Sequence, residues 1–399
     1  MTQNLEPRIA AHLDFLVDEI GPRPGGSEED HRAAGYIAQV MAGLGWQVEE
    51  QRFDCPCWTH HATRLAVDNQ KLAASANAYS PPVDVHATAV GVATLAELKM
   101  ADIEDRLAVL YGALVRAPLS PKSWFLISDE ERELIDLLED KRPAAVLTVQ
   151  GHRGGLVSLI EDWEFRIPSA TITPAAALAL LEHGGHEAHL RIETAQEAGY
   201  STNVVGRSQP KQHTVTLMAH YDTKFDTPGA MDNASGVAAL LALAQQLDPA
   251  TYPFALELVS FSNEEYLPIG DDEYLRRREQ KLDDIILAIN MDSIGQRLAA
   301  NSITTFGAAD PFRAALSDVV SGYPGLIWTD PWPQSNHSTF AMRGVPAIAF
   351  TSTDWGLAHQ PDDDNRWLDP RSIASVVAVI QQILKLVAQY PPDWTRSGP

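Results

Sequence analysis

Residues 214–236 read TVTLMAHYDTKFDTPGAMDNASG, and this stretch decides the fold. Val215, Leu217 and Met218 lie in a run free of Gly and Pro, which predicts a buried strand ending on His220-Tyr221-Asp222. A Gly- and Pro-containing loop follows. Asp232 and Asn233 then stand at the head of a helix with Val237, Leu240, Leu241, Ala244 and Leu247 on one stripe. One strand-loop-helix unit thus places a histidine and two aspartates at the carboxyl end of a strand, where open α/β sheets bind ligands. Taken alone, Asp232 reads as an ordinary N-cap.

Outward from this stretch, strands alternate with helices. Strands are expected at Leu256–Ser262, Ile285–Met291, Ser302–Phe306 and Ala347–Phe350, with helices between them and a last amphipathic helix carrying Ile373 to Val387. The pattern predicts an α/β fold with a mixed, mostly parallel central sheet between helices. The amino terminus opens with a helix over Leu5, Ile9, Leu13, Leu16 and Ile20. Gly21-Pro22 stops it, and Ser27 with Asp30 opens a second helix as a capping box. Between about Pro56 and Tyr200 the texture changes to short strands, Pro-rich turns and a helix at Glu130–Leu138. The expected organisation is therefore a discontinuous domain, 1–56 with 200–399, interrupted by a smaller α/β module over 57–199.

Composition narrows the function classes. A net charge of −23 over 399 residues argues against nucleic acid or an anionic membrane as a partner. The sequence contains no apolar run of roughly 20 residues such as a membrane span needs, and its charged, amphipathic start is no signal peptide. The two cysteines, Cys55 and Cys57, lack disulfide and zinc-finger spacing and read as reduced thiols of a cytoplasmic protein. Oligomerisation stays open.

Four strand-like runs end on groups that can bind metal. His220 and Asp222 end the first, Glu264-Glu265 the second and Asp292 the third, while His359 lies in the loop after the fourth. With Asp232, the set offers two imidazoles and several carboxylates on one sheet edge. These are zinc ligands that need no thiolate. A carboxylate at Asp232 could bridge two ions, each taking one histidine and one further carboxylate. One acid must stay off the metals to accept a proton, and adjacent Glu264 and Glu265 can divide those jobs. Asp222, two residues after His220, can hold the second imidazole nitrogen.

These motifs resemble the co-catalytic di-zinc aminopeptidases, the metallopeptidase family that also holds aminopeptidase Y, glutamate carboxypeptidase and glutaminyl cyclase. The resemblance runs through His220-x-Asp222, Asp232-Asn233-Ala-Ser-Gly236, Glu264-Glu265, Asn290-Met-Asp292, Gly344-Val-Pro346-Ala and His359, with Gly-Pro-Arg-Pro-Gly-Gly-Ser near the amino terminus. It implies a three-layer zinc-exopeptidase fold and two Zn²⁺ per chain. His220 and Asp292 would hold one zinc, Glu265 and His359 the other, and Asp232 both. Glu264 would be the general base, Asp222 the support of His220, and a cis peptide would follow Asp232. The module over 57–199 resembles a protease-associated domain, on element order and Ile167-Pro168-Ser169.

Two departures stand out. The family follows its glutamate pair with x-Gly-Leu-x-Gly-Ser, whereas this chain has Tyr266-Leu267-Pro268-Ile269-Gly270-Asp271. The family's Ser-Asp-His is here Ser335-Asn336-His337, and the Tyr often found nearby is missing, which makes His337 a candidate oxyanion or substrate contact. Trp328, Trp332 and Trp355 are candidates for a substrate pocket or for core packing. Asp354 and Asp362 to Asp364 are candidates for holding a free amine. The expected function is a zinc exopeptidase that removes the amino-terminal residue of peptides. A carboxypeptidase or amidohydrolase on the same site is the alternative, with a glutaminyl cyclase or a catalytically silent scaffold behind it. His60, His61, His152 and the His183/His186/His189 series read as surface histidines, because Gly184-Gly185 breaks any helix that would align the last three.

Overall fold

A run of strands whose side chains alternate between two buried faces builds the centre of the molecule. The computed structural model describes residues 5–124, 126–150, 155–182 and 185–396; His152, His183 and Gly184 lie outside them. The chain divides into two units, Met1–Cys55 with Tyr200–Pro399, and Pro56–Gly199.

In the first unit, Thr214–His220 lies between Ala255–Phe261 and Ile285–Met291, parallel to both. Ala347–Ser352 extends the parallel set beyond Ile285–Met291. Antiparallel pairing closes both sides: Asn301–Phe306 lies against Ala347–Ser352, and Val204 to Arg207 lie against Ala255–Phe261. A short strand, Leu326–Trp328, forms the outer edge. Val215, Leu217 and Ala219 face one core and Met218 the other, as the period of two requires. Leu287, Ile289 and Met291 repeat the pattern on the neighbouring strand, with Ala288 on the opposite face.

The larger core is covered by helices Glu6–Leu13, Glu28–Gly43, Ser235–Gln246, Asp310–Ser321 and Pro370–Val387. The smaller core takes Tyr274 and Leu275 from helix Ile269–Arg277 and Phe340 from helix His337–Ala341. Residues Ser235 through Ala244 are all buried, so this helix has no solvent face and lies inside the layer. Helix Pro370–Val387 is long and apolar enough to span a membrane by length and composition, which corrects the expectation from the sequence. In the fold its stripe Ile373, Val376, Val377, Ile380, Ile383 and Leu384 is buried, and it packs on helices Ser235–Gln246, Glu6–Leu13 and Asp310–Ser321.

The opening helix is α-helical only to Leu13 and continues as a π-helix over Asp14–Ile20, ended by Gly21 at φ +81°. Ser27 caps the next helix by accepting from the Asp30 amide at 3.0 Å. The Asp30 carboxylate bonds Gly26, Ser201 and Ser262 instead of the Ser27 amide.

In the second unit the strand order is Glu187 to Ile192, Val83–Val92, Leu107–Leu110, Ala145–Val149, Ser169–Ile172 and Ala74–Ala76. Helix Asp129–Lys141, opened by a complete Ser128/Glu131 capping box, and helix Leu95–Met100 contribute Leu134, Ile135, Leu138 and Leu98 to its core. Several strands expected here as short pieces are parts of two 21-residue strands, Gln47–Val67 and Glu187–Arg207. Such strands blur in sequence because buried, half-buried and exposed positions mix along them without a steady alternation.

Helix Ser235–Gln246 approaches the sheet where only glycine fits. A Cβ on Gly236 would lie 2.2 Å from the Met291 carbonyl and 2.5 Å from Asn233 Oδ1. Gly236→Ala must therefore push the helix off the strand that ends in Asp292. We expect a loss of about 1–3 kcal/mol, as for other overpacked cores, measured by urea unfolding; an unchanged midpoint would contradict the close approach.

Candidate active site

The parallel register sets neighbouring strand ends side by side. His220 pairs with Phe261 and Met218 with Asn290, so the residues following each strand emerge on one edge. Glu264 and Glu265 come from beyond Phe261, Asp292 directly follows Met291, and His359 lies on the loop after Ala347–Ser352. Asn263 (φ +58°), Ser293 (φ +58°) and His359 (φ +62°) all take left-handed backbone conformations uncommon for non-glycine residues. Such outliers cluster where structure is held for function.

Asp232 lies at the centre. Its Oδ1 is 3.2 Å from His220 Nε2, and its Oδ2 is 3.1 Å from His359 Nε2. Asp292 Oδ1 is 3.5 Å from His220 Nε2, and Glu265 Oε2 is 3.1 Å from His359 Nε2. Two triads result, His220/Asp232/Asp292 and Asp232/Glu265/His359, each with its donor atoms within 4.8 Å of one another. His220, Asp232, Glu265 and Asp292 are buried, while His359 is half exposed. Glu264 stands beside the triads, with Oε2 3.9 Å from His220 Nε2.

Asp232 does not cap the helix. The peptide between Asp232 and Asn233 is cis, and Asn233 does the capping work: its Oδ1 accepts from Gly236 and Ser293, while its Nδ2 donates to the Met291 carbonyl. Asp222 Oδ1 lies 3.6 Å from His220 Nδ1, and its two oxygens accept the Glu264 and Glu265 amides at 3.2 Å each. One carboxylate thus faces the imidazole and sets the glutamate pair.

Crowding shapes the protonation of the group. Burial pulls the His220 and His359 imidazoles down, but the carboxylates around them outweigh it and carry both well above the ordinary range. Burial also raises Asp232, yet hydrogen bonds and charge from the two histidines hold it below the usual carboxylate range. Glu264 is pushed well up by burial and by Asp292, Glu265 and Asp222, against the pull of His220. Glu265 is raised by burial and Asp232.

Residues outside the expected set hold this cluster. Arg23 is fully buried, and its guanidinium donates to the carbonyls of Tyr221, Leu16, Gly21, Pro228 and Gly229. Desolvation lowers it to about 10, opposed by Asp363, Asp222, Glu265 and Asp232. Asp363 accepts the Met231 and Asp232 amides at 2.8 and 3.1 Å, and burial raises it to about 7. Lys224 is buried, bonds the Glu265 carbonyl and lies 3.9 Å from Glu265 Oε2. Arg23 had a visible signal, a single cation within a Gly- and Pro-rich loop. Asp363 had none that separates it from its neighbours Asp362 and Asp364.

The remaining candidates fall differently. His337 is fully buried, with Nε2 2.8 Å from the Trp332 carbonyl and Nδ1 3.4 Å from Asn290 Nδ2, and desolvation lowers it to about 4. Both of its nitrogens are engaged within the protein. Trp332 packs edge to face on His337 and on Trp355, which is half exposed, while Trp328 lies on the edge strand. Asp354 bonds the Gly356 amide and Asp364 caps Arg366. His186 and His189 pair with Asp68 and Asp84 on exposed surface.

Among the described residues, buried Glu265 Oε1 has no hydrogen-bond partner. Two imidazoles and three carboxylates of matching reach, with this oxygen unmatched, fit a pair of divalent cations that take nitrogen and oxygen ligands.

The sequence pattern of peptidase family M28 matches residues 203–384. The aminopeptidase YwaD of Bacillus subtilis (strain 168) is 24% identical over 382 residues, covering 90% of this chain and 75% of its own. The solved structure of a zinc aminopeptidase from Bacillus subtilis has a TM-score of 0.77 at 19% identity, covering 98% of both chains. That of a peptidase M28 precursor from Shewanella amazonensis SB2B scores 0.78 at 20% identity, covering 99% of this chain and 97% of its own. These likenesses establish the three-layer zinc-exopeptidase fold. The pattern of peptidase family M28 runs through every residue of the two triads, and this likeness together with the aminopeptidase relatives supports a peptide hydrolase.

Proposed function

We propose that the protein is a zinc-dependent aminopeptidase with two zinc ions per chain and Glu264 as general base. One observation carries the reading: the two oxygens of Asp232 each face a different histidine, at 3.2 and 3.1 Å, as a bridging carboxylate requires. The names of the relatives, aminopeptidase and zinc aminopeptidase, supply the substrate end and the metal.

His220, Asp232 and Asp292 would hold one ion, and Asp232, Glu265 and His359 the other. Bound there, zinc supplies Lewis acidity, which polarises a carbonyl and makes water acidic near neutral pH. The chain's own groups do the rest. Glu264 takes the proton of the attacking water and returns it to the leaving amine. Its raised affinity for a proton suits both halves of that transfer. Asp222 faces the His220 ring and fixes the Glu264 and Glu265 amides, so ligand and base are aimed by one group. Arg23 and Asp363 hold the segment 221–232 from behind.

Metal analysis of the purified protein is expected to return two zinc per chain, and chelation to abolish hydrolysis of aminoacyl chromogenic substrates. No zinc, or chelator-resistant activity, contradicts the reading. Asp232→Asn is expected to leave at most one zinc per chain, because a neutral amide replaces the shared charge; two retained ions would rule out the bridge.

Glu264→Gln is expected to lower kcat by roughly 10²–10⁴-fold, the range for losing a general base, with zinc content unchanged. Activity near that of the wild type assigns the base elsewhere.

The protonation of the metal-free chain sets a pH dependence. His220 and His359 carry protons that a ligating imidazole must lose, and Glu264 and Glu265 are also raised. Loading at pH 7 is therefore expected to release protons, and zinc affinity to fall as pH falls. Titration calorimetry in two buffers of different ionisation enthalpy measures this; zero release or net uptake contradicts it.

A further inference from the structure

The two triads share Asp232 but differ in the charges around them. Asp222 Oδ1 lies 3.6 Å from His220 Nδ1 and Glu264 Oε2 lies 3.9 Å from His220 Nε2, so two further carboxylates back the His220/Asp232/Asp292 triad. On the other side stands a cation. Lys224 Nζ is 3.9 Å from Glu265 Oε2, the same oxygen that faces His359 Nε2 at 3.1 Å. We infer that Lys224 makes the two ion positions unequal: the His220/Asp232/Asp292 position fills first, and the Asp232/Glu265/His359 position is the weaker one, which empties first as free zinc falls. The inference rests on the two-zinc reading proposed above.

Lys224 is held against the site. It is buried, its ammonium donates to the Glu265 carbonyl, and Nζ lies 4.2 Å from the centre of the Tyr266 ring, which attracts it as a cation over an aromatic face. Tyr266 is buried as well, and its hydroxyl accepts the amide of Phe225, the residue after Lys224, at 2.8 Å. Carbonyl, ring and carboxylate together fix the ammonium beside the oxygen that would ligate.

Each triad brings two carboxylates and one imidazole, so the ligands themselves are matched and the difference lies behind them. Asp222 faces the far nitrogen of His220, which strengthens that ring as a ligand. Among the described residues, no carboxylate pairs with the Nδ1 of His359. A fixed positive charge beside Glu265 repels a second cation and competes for the oxygen that would bind it. Arg23, the other buried cation, is balanced by Asp222, Asp232 and Glu265 together, so it does not separate the two positions. Exposure runs the same way as charge. The His220 side chain ends a central strand and is 1% exposed, whereas that of His359 lies on a loop and is 46% exposed. A ligand on an open loop gives up its ion to water more readily than one inside the sheet.

The test strips the full chain of metal with a chelator and titrates it with zinc at one fixed pH against a chromophoric competitor. Wild type, Lys224→Gln, Lys224→Arg and His359→Ala are compared. Glutamine can still donate to the Glu265 carbonyl, and arginine keeps the charge. Wild type is expected to bind two zinc with dissociation constants about tenfold apart or more, the size of effect that groups behind metal ligands exert. His359→Ala is expected to lose the weaker class and keep the tighter one, which identifies the weak position without touching Lys224. Lys224→Gln is expected to tighten the weaker class about tenfold and leave the tighter class in place, while Lys224→Arg retains the wild-type gap. Two ions of equal affinity in wild type, loss of the tighter class in His359→Ala, or an unchanged gap in Lys224→Gln overturns the inference. Fewer than two zinc in wild type overturns the two-zinc reading and the inference with it. Two zinc without hydrolysis of aminoacyl chromogenic substrates overturns the peptidase reading alone, since the affinities still decide the role of Lys224.

Discussion

Mutual repulsion among five carboxylates is the constraint around which this fold is arranged. Asp222, Asp232, Glu264, Glu265 and Asp292 converge beside only two imidazoles, four of the five nearly buried. Like charges at such separations in a medium poorer than water repel by several kcal/mol per pair unless neutralised. The chain answers partly from within. Arg23 places a buried cation behind the segment 221–232, and Lys224 lies against Glu265. Asp222 spends its oxygens on the two glutamate amides. What remains unmatched is a set of carboxylates and imidazoles that divalent cations would neutralise.

The sheet makes this concentration possible. Three parallel strands in close register bring their carboxyl ends together, and the backbone turns sharply after two of them. Asn263 and Ser293 take left-handed conformations directly before Glu264 and directly after Asp292. The chain therefore leaves the sheet abruptly and sends its acids back over the strand ends. Behind them Gly236 lets an entirely buried helix touch the Met291 carbonyl, so the floor of the site cannot shift without repacking the core.

Much of this was legible in the sequence because it rests on local signals. Ile285–Met291 was readable to the residue, since an apolar run bounded by turn residues and ending in Asp292 admits one assignment. Glu264, Glu265 and Asp292 were readable as candidates because each follows a strand. The supports were not. Arg23 and Asp363 act on backbone that is distant in sequence, about 200 residues away for Arg23 and about 130 for Asp363, and no local pattern reports such a partner. Asp232 was ambiguous for a physical reason: an aspartate before a helix is ordinarily a cap, and only the conformation around it shows Asn233 doing that work instead. Helix His337–Ala341 was missed because five residues carry too little periodicity.

The same distribution of partners bears on which acid can move a proton. Asp222 is committed to two amides and faces an imidazole, and Asp363 is committed to the backbone before the bridge. Asp232 faces two histidines, Glu265 a histidine and a lysine, and Asp292 a histidine. The Glu264 carboxylate makes no hydrogen bond to the described residues and keeps about a fifth of its surface open. A general base must be able to gain and release a proton without breaking a structural bond. Among these acids Glu264 alone meets that condition, and the crowd that pushes its proton affinity up is the same crowd that fixes the others in place.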